Sequence, residues 1–359
     1  MANPPDDLAL IGTVVRDRYE ILRVLGQGGM GCVYAVKDRQ SGAERALKVL
    51  GTTQGGLRIA QHRFKREFST ISRVSHPGIV SVYDFGELGG VLFYVMELLT
   101  SSTISDRIPK PPELPDRAAI TASLRMMSEV IEALAYIHQH HLIHRDLKPS
   151  NLIFGADGKP RITDFGLAKD FDNAITLTES GSILGTLSHM APEQLQGRKI
   201  DHRADLYATG IILYQLVCGR LPFSETNPLA LMRQQVTQAP LAPSKHNPAV
   251  PRELDDVIMK LLSRDPVDRY PNAGLLASDV AAVIKGDKPA ASKSGSPSTD
   301  QRTMIATAAG FVGRQEDLQK MQTVLEQAGA GEGGTAVILG EAGIGKTRFV
   351  EEFCARALM

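Results

Sequence analysis

The strongest constraint on the fold is a change of periodicity near Ser105. Before it, short β-branched runs broken by glycine predict strands over 19–25, 32–38, 45–50, 80–85 and 92–97. Between the third and fourth runs, residues 61–74 place Phe64, Phe68, Ile71 and Val74 at helical spacing. After it the pattern turns helical over 118–140, 204–217, 253–262 and 273–284. An α+β architecture follows: a small, mostly antiparallel sheet carrying one helix, then a larger helical lobe. The cleft where two such lobes meet is the default ligand site.

Composition narrows the function classes. Forty basic residues balance forty acidic ones among 359, which gives no basic excess of the kind that nucleic-acid binding requires. The one dense basic stretch, 58–66, reads as a solvated helix face. Cys32, Cys218 and Cys354 lie far apart and fit reduced thiols better than a metal site. Met1–Leu8 lacks the basic and apolar regions of a secretory signal, and the longest apolar stretch, 206–218, is too short to span a bilayer. A cytoplasmic protein without a membrane span is expected. Residues 286–300 hold no large apolar side chain and read as a flexible linker. The domain plan is therefore an extension over 1–18, a main domain over 19–285 divided at 99/100, a linker over 286–305, and the start of another domain over 306–359.

Residues 25–34 read LGQGGMGCVY, with Gly26, Gly28 and Gly31 in a G-x-G-x-x-G pattern. Glycine lets backbone amides approach phosphate oxygens, yet the pattern alone is weak. A dinucleotide fold would place a helix next, whereas a strand follows here, so the loop predicts a hairpin lid over phosphates. Lys48 lies on the third strand, and Glu67 is the only carboxylate between Ala46 and Tyr83. Glu67 shares a helix face with Ile71, so it can orient Lys48 toward phosphates in a cleft where each charge needs the other. Lone lysines on strands and glutamates on helices are usually solvated, and that reading stands beside this one.

Residues 142–153 read LIHRDLKPSNLI. In this segment Asp146 can take the proton of an attacking hydroxyl, Lys148 can neutralise a transferring group, and Asn151 can offer an oxygen to Mg²⁺. Thirteen residues past Asn151 come Asp164, Phe165 and Gly166, where Asp164 supplies a second hard oxygen.

Together these motifs resemble the eukaryotic-type protein kinase family across 19–285, and the Gly-Gly-Met-Gly loop is most similar to its bacterial serine/threonine members. The resemblance implies a bilobal kinase fold, ATP and Mg²⁺ as co-substrate and metal, and protein substrates bearing Ser or Thr. Dimerisation for trans-autophosphorylation is compatible with it. It implies that Leu25, Val33, Ala46 and Ile153 enclose the nucleotide. Met96 would be the gatekeeper, and backbone groups of Glu97 and Leu99 would meet the adenine edge. Thr186 would bond Asp146 and Lys148. Ile71, Val82, His144 and Phe165 would form an apolar spine anchored by Asp205, and Glu193 would pair with Arg269. Arg145 beside Asp146 suggests a phosphate partner, for which Thr178 and Ser180 are candidates; ordinary loop hydroxyls are the alternative. Leu187 and His189 stand where the family commonly has Pro and Tyr, which bears on peptide preference. An inactive scaffold of the same fold is the competing reading, although Lys48, Asp146, Asn151 and Asp164 are all present.

A second motif lies in 336–347, AVILGEAGIGKT, where Gly340, Gly345, Lys346 and Thr347 fit G-x-x-x-x-G-K-[ST] after an apolar strand. The upstream segment 311–319 resembles the opening of AAA-like signalling ATPases. Only twelve residues follow Thr347, so an incomplete α/β P-loop domain without hydrolysis of its own is expected, either a fragment of a longer sensor kinase or a truncated ATPase.

Overall fold

A computed structural model describes residues 10–28, 31–50, 74–88, 91–165 and 187–290, with five helical positions between 317 and 324. The chain divides into two compact units, Met1–Lys293 and Ser294–Met359. The predicted helix over 61–74 lies outside the described residues up to Arg73, as does most of the second unit. In that unit, Lys320 Nζ lies 3.9 Å from Asp317.

Six strands form the first sheet: β1 (Val14–Val15), β2 (Tyr19–Gly28), β3 (Gly31–Asp38), β4 (Glu44–Leu50), β5 (Val82–Leu88) and β6 (Val91–Glu97). Their order is β1-β2-β3-β4-β6-β5, antiparallel throughout. The sheet thus begins ahead of Tyr19, because Val15 is buried and pairs with Tyr19. Alternation sorts side chains between two faces. Tyr19, Ile21, Tyr34, Val36, Leu47, Phe93 and Val95 pack into one apolar cluster, whereas Ala46, Tyr94 and Met96 belong to another with Val33, Val82 and Leu99. The second cluster faces the cleft.

The larger lobe is built on α1 (Arg117–Gln139), whose buried stripe Ile120, Leu124, Met127, Ile131, Leu134 and Ile137 recurs every three or four residues. Asp116 caps its first turn, accepting from Ala119 N at 2.8 Å. A two-stranded ribbon, β7 (Leu152–Phe154) with β8 (Pro160–Ile162), follows. Then come α2 (Pro192–Leu195), α3 (Arg203–Cys218), α4 (Pro228–Thr237), α5 (Arg252–Leu261) and α6 (Ala273–Lys285). All of α3 except Arg203 and Gln215 is buried, which explains its nearly continuous apolar sequence. Gly210 permits α3 to touch α5, since a Cβ there would sit 2.7 Å from that of Leu261. Among the described residues no helix is long and apolar enough to cross a membrane.

Candidate active site

The segment between α1 and β7 carries Asp146, Lys148 and Asn151, and Asp205 fixes its entry. Asp205 Oδ2 accepts from His144 N and Oδ1 from Arg145 N, both at 2.9 Å, and Oδ2 also meets His138 Nε2 at 2.9 Å. Burial by itself would raise the Asp205 carboxyl, but His138 and these backbone donors overcome it and hold the group below the ordinary range. The clamp has a structural purpose. Arg145 sits at φ 65°, a left-handed conformation that a side chain like arginine rarely adopts. Its N–H is held by Asp205 and its carbonyl by Gln194 Nε2 at 3.0 Å, so both sides of the strained residue are fixed.

Past this turn the polar groups converge. Lys148 Nζ lies 3.2 Å from Asp146 Oδ2. Asn151 Nδ2 donates to the Asp146 carbonyl at 2.8 Å and reaches Asp146 Oδ2 at 3.4 Å. The amide nitrogen is thereby engaged on the Asp146 side, which leaves the amide oxygen as the group Asn151 can offer a cation. Asp146 and Asn151 are both buried.

Asp164 is delivered to the same place by β8. Thr163, just before it, donates to the Asn151 carbonyl twice, from N at 2.9 Å and Oγ1 at 3.1 Å. His144 Nε2 meets the Thr163 carbonyl at 2.8 Å while its Nδ1 accepts from Asp146 N at 3.3 Å, a pairing that requires the Nε2–H tautomer. One buried imidazole thus ties the Asp146 backbone to the residue preceding Asp164. Asp164 itself has φ 54°, a conformation that aspartate tolerates better than most residues. Phe165 lies against His144, ring centroids 5.1 Å apart, which forms the lower contact of the expected spine.

The sheet supplies the opposite wall. Lys48 Nζ donates to Asp164 Oδ1 at 2.5 Å, and Tyr94 Oη donates to the same oxygen at 3.1 Å. Burial, then the Asp164 charge and this hydrogen bond, push the Tyr94 phenol well above its ordinary value, so it stays a donor. Tyr94 and Thr163 are positions that the sequence reading missed. The period-two rule could have found the first, because Tyr94 lies two residues before Met96 and shares its face.

Other predicted residues fall as follows. Gly26, Gly28 and Gly31 lie in the β2–β3 hairpin, where Gly28 pairs with Gly31 and Gly31 has φ 125°, accessible in practice only to glycine. A Cβ on Gly26 would meet no atom within 4 Å, so the backbone there borders open space. Leu25 is exposed. Val33, Ala46, Met96 and Leu99 share the cleft-side cluster, and Ile153 lies on β7. The Glu97 N–H donates to Ser81 O at 2.8 Å, which leaves its carbonyl for the adenine contact expected from the sequence. Leu187 is buried with Leu195, Phe223 and Leu231, and His189 Nε2 meets Gln215 Oε1 at 2.8 Å. Apolar packing and a polar tie thus occupy the two positions where the family's Pro and Tyr are absent. Glu67, Ile71, Thr178, Ser180, Thr186, Gly340, Gly345, Lys346 and Thr347 lie outside the described residues.

The donor set fits a hard cation. Asn151 and Asp164 offer oxygen only, and no cluster of three or more His, Cys, Asp or Glu suited to a metal occurs among the described residues. Two protein ligands match Mg²⁺, which retains water and takes phosphate oxygens from its substrate.

Residues 19–280 match the protein kinase domain family, and residues 310–358 match the AAA ATPase domain family. Serine/threonine-protein kinase PrkC of Bacillus subtilis is 33% identical over 279 residues, 78% of this chain and 42% of that protein. Serine/threonine-protein kinase PknB of Mycobacterium tuberculosis is 32% identical over 300 residues, 82% of this chain and 47% of that protein. The chain therefore spans less than half the length of these relatives. The crystal structure of the Mycobacterium tuberculosis PknI kinase domain superimposes with a TM-score of 0.59 at 28% identity, covering 76% of this chain and 98% of that one. By this match across 19–280, and by relatives of this kind, the chain belongs to the protein kinase family in its bacterial serine/threonine branch, followed by an AAA-like segment.

Proposed function

We propose that the chain transfers the γ-phosphate of ATP to serine or threonine hydroxyls of protein substrates. The observation that carries this reading is the convergence of Lys148 and Asn151 on Asp146, with Asp164 held beside Asn151 through Thr163. Asp146 orients the substrate hydroxyl and takes its proton as the new O–P bond forms and the bond to the β-phosphate oxygen breaks, releasing ADP. Lys148 offsets charge gathering on the transferred group, and Thr186 steadies the pair. Lys48, aligned by Glu67, holds the α- and β-phosphates beneath Gly26, Gly28 and Gly31, while Val33, Ala46 and Ile153 enclose the base. Asn151 and Asp164 would hold Mg²⁺, which when bound neutralises phosphate charge.

The same reading makes Thr178 and Ser180 the autophosphorylation sites, in trans within a dimer, and would give Gly340, Gly345, Lys346 and Thr347 a second nucleotide if the P-loop domain were complete. Balanced charge favours protein over nucleic-acid partners, and the free, buried Cys32 and Cys218 favour the cytoplasm. Labelled ATP and Mg²⁺ test the reading against Asp146→Asn. Transfer is expected to fall by about 10²–10⁴-fold, with nucleotide binding kept and with phosphate mapping to Thr178 or Ser180 in the parent protein only. Undiminished transfer by the variant would refute it.

A further inference from the structure

The cleft face of the sheet holds a phenol that the kinase reading leaves without a task. In the antiparallel register, Val33 lies opposite Lys48 and Lys48 opposite Tyr94, so three neighbouring strands present these side chains in one row. Lys48 and Tyr94 then reach the same atom, Asp164 Oδ1, at 2.5 and 3.1 Å. Oδ2 receives neither donor. Tyr94 is buried in a cluster with Ala46, Val80 and Met96, so its ring is held in place with its hydroxyl donating to Asp164 Oδ1.

We infer that Tyr94 is a positioning residue for the metal-binding aspartate, holding Asp164 Oδ1 so that Oδ2 faces the cation. The inference rests on the kinase reading and deepens it. Lys48 has two claims on it, the carboxylate it touches here and the phosphates that a nucleotide would bring. When Lys48 turns to phosphate, Asp164 loses a donor and its carboxylate is freer to rotate about χ2. Tyr94 has no phosphate to serve. It keeps the carboxylate plane fixed through the change, at a residue whose backbone φ of 54° is already held in an unusual conformation. Partners that orient a metal ligand in this way commonly affect metal affinity by about 10–100-fold when lost.

The experiment is Tyr94→Phe in the full chain, which removes one oxygen and keeps the ring. Mn²⁺ affinity is measured by electron paramagnetic resonance with adenylyl imidodiphosphate present, and nucleotide affinity is measured separately in chelator. The variant should bind Mn²⁺ about tenfold more weakly, with metal-free nucleotide affinity and melting temperature unchanged. A higher Mg²⁺ requirement for phosphoryl transfer should accompany this. Unchanged Mn²⁺ affinity would overturn the inference, as would an equal loss of metal-free nucleotide binding, which marks a packing role. If the phenylalanine variant does not fold, Tyr94→Leu takes its place, with the same weaker Mn²⁺ binding expected and a lower melting temperature from the lost ring. Normal phosphoryl transfer by the parent protein alongside unchanged Mn²⁺ binding by the variant sinks this inference alone. A parent protein that transfers no phosphate sinks the kinase reading as well.

Discussion

Two carboxylate–cation clusters in the larger lobe use the same chemistry to opposite ends. In one, Arg269 donates to Glu193 through both terminal nitrogens, at 2.7 and 2.8 Å. Its remaining donors reach the carbonyls of Ser263, Arg203 and Arg264 at 2.8, 3.0 and 3.1 Å. All five N–H groups are satisfied, and the guanidinium lies 4.9 Å from the centre of the Tyr207 ring. Nothing is left over for a ligand. In the other, Lys148 meets Asp146 Oδ2 at 3.2 Å, in a cleft where a substrate hydroxyl and phosphate are expected to complete the set. A cluster whose donors are all spent on buried protein groups serves the fold, while one set in the cleft is placed where the proposed reaction needs it.

The contrast breaks most visibly at Arg269. Arg269→Met keeps the volume but leaves the Glu193 carboxylate buried without its cation. Removing one partner of a buried pair costs about 3–5 kcal/mol, which for a domain of this size lowers the melting temperature by on the order of 10 °C. A calorimetric shift of only a degree or two would show that the cluster is not the closed device described.

Asp205 is the next test, because it belongs to the fold yet shapes the site. Asp205→Asn can satisfy fewer of the donors on His144, Arg145 and His138, at a cost of about 1–3 kcal/mol. It also removes a pH dependence of known sign. The Asp205 carboxyl titrates lower in the folded chain than its ordinary 3.8. It therefore stabilises the fold above that value, and the stabilisation is lost as pH falls through the lower folded value. Urea denaturation between pH 3 and 6 should show a flatter acid limb in the variant; parallel limbs would remove Asp205 from the account.

How much of this was legible in the sequence depends on the range of the interaction. The long helices announced themselves through local apolar spacing, and the strands through alternation and glycine. The helix at Pro228–Thr237 did not, since only Leu231 and Gln235 are buried and no stripe marks it. Val14–Val15 is too short for any periodicity. Asp146, Lys148, Asn151 and Asp164 were readable because their order along the chain is itself the signature. Thr163, Gln194 and Tyr94 were not, because each acts through a partner 12, 49 or 70 residues away that only the folded register supplies. The Lys48 contact with Asp164 is of the same kind: the sequence offered Glu67 as its partner, and the described residues add a carboxylate 116 positions distant.

The smallest expected effect sharpens the comparison most. Asp146 and Glu193 are both buried carboxylates with a basic partner, so a ledger of ion pairs would rank them together. Geometry separates them. Glu193 is held at both oxygens by a guanidinium with no other freedom, whereas Asp146 meets a flexible ammonium whose side chain is 18% exposed. Asp146→Asn keeps the shape, keeps an oxygen that can accept, and leaves Lys148 able to turn toward water. Its stability should fall by about 1 kcal/mol, well short of the Arg269→Met loss, although phosphoryl transfer is expected to collapse. A thermal melt and a transfer assay on one preparation make the comparison. If the asparagine variant unfolded as readily as Arg269→Met, the division between a cluster that holds the fold and a cluster that serves the reaction would fail.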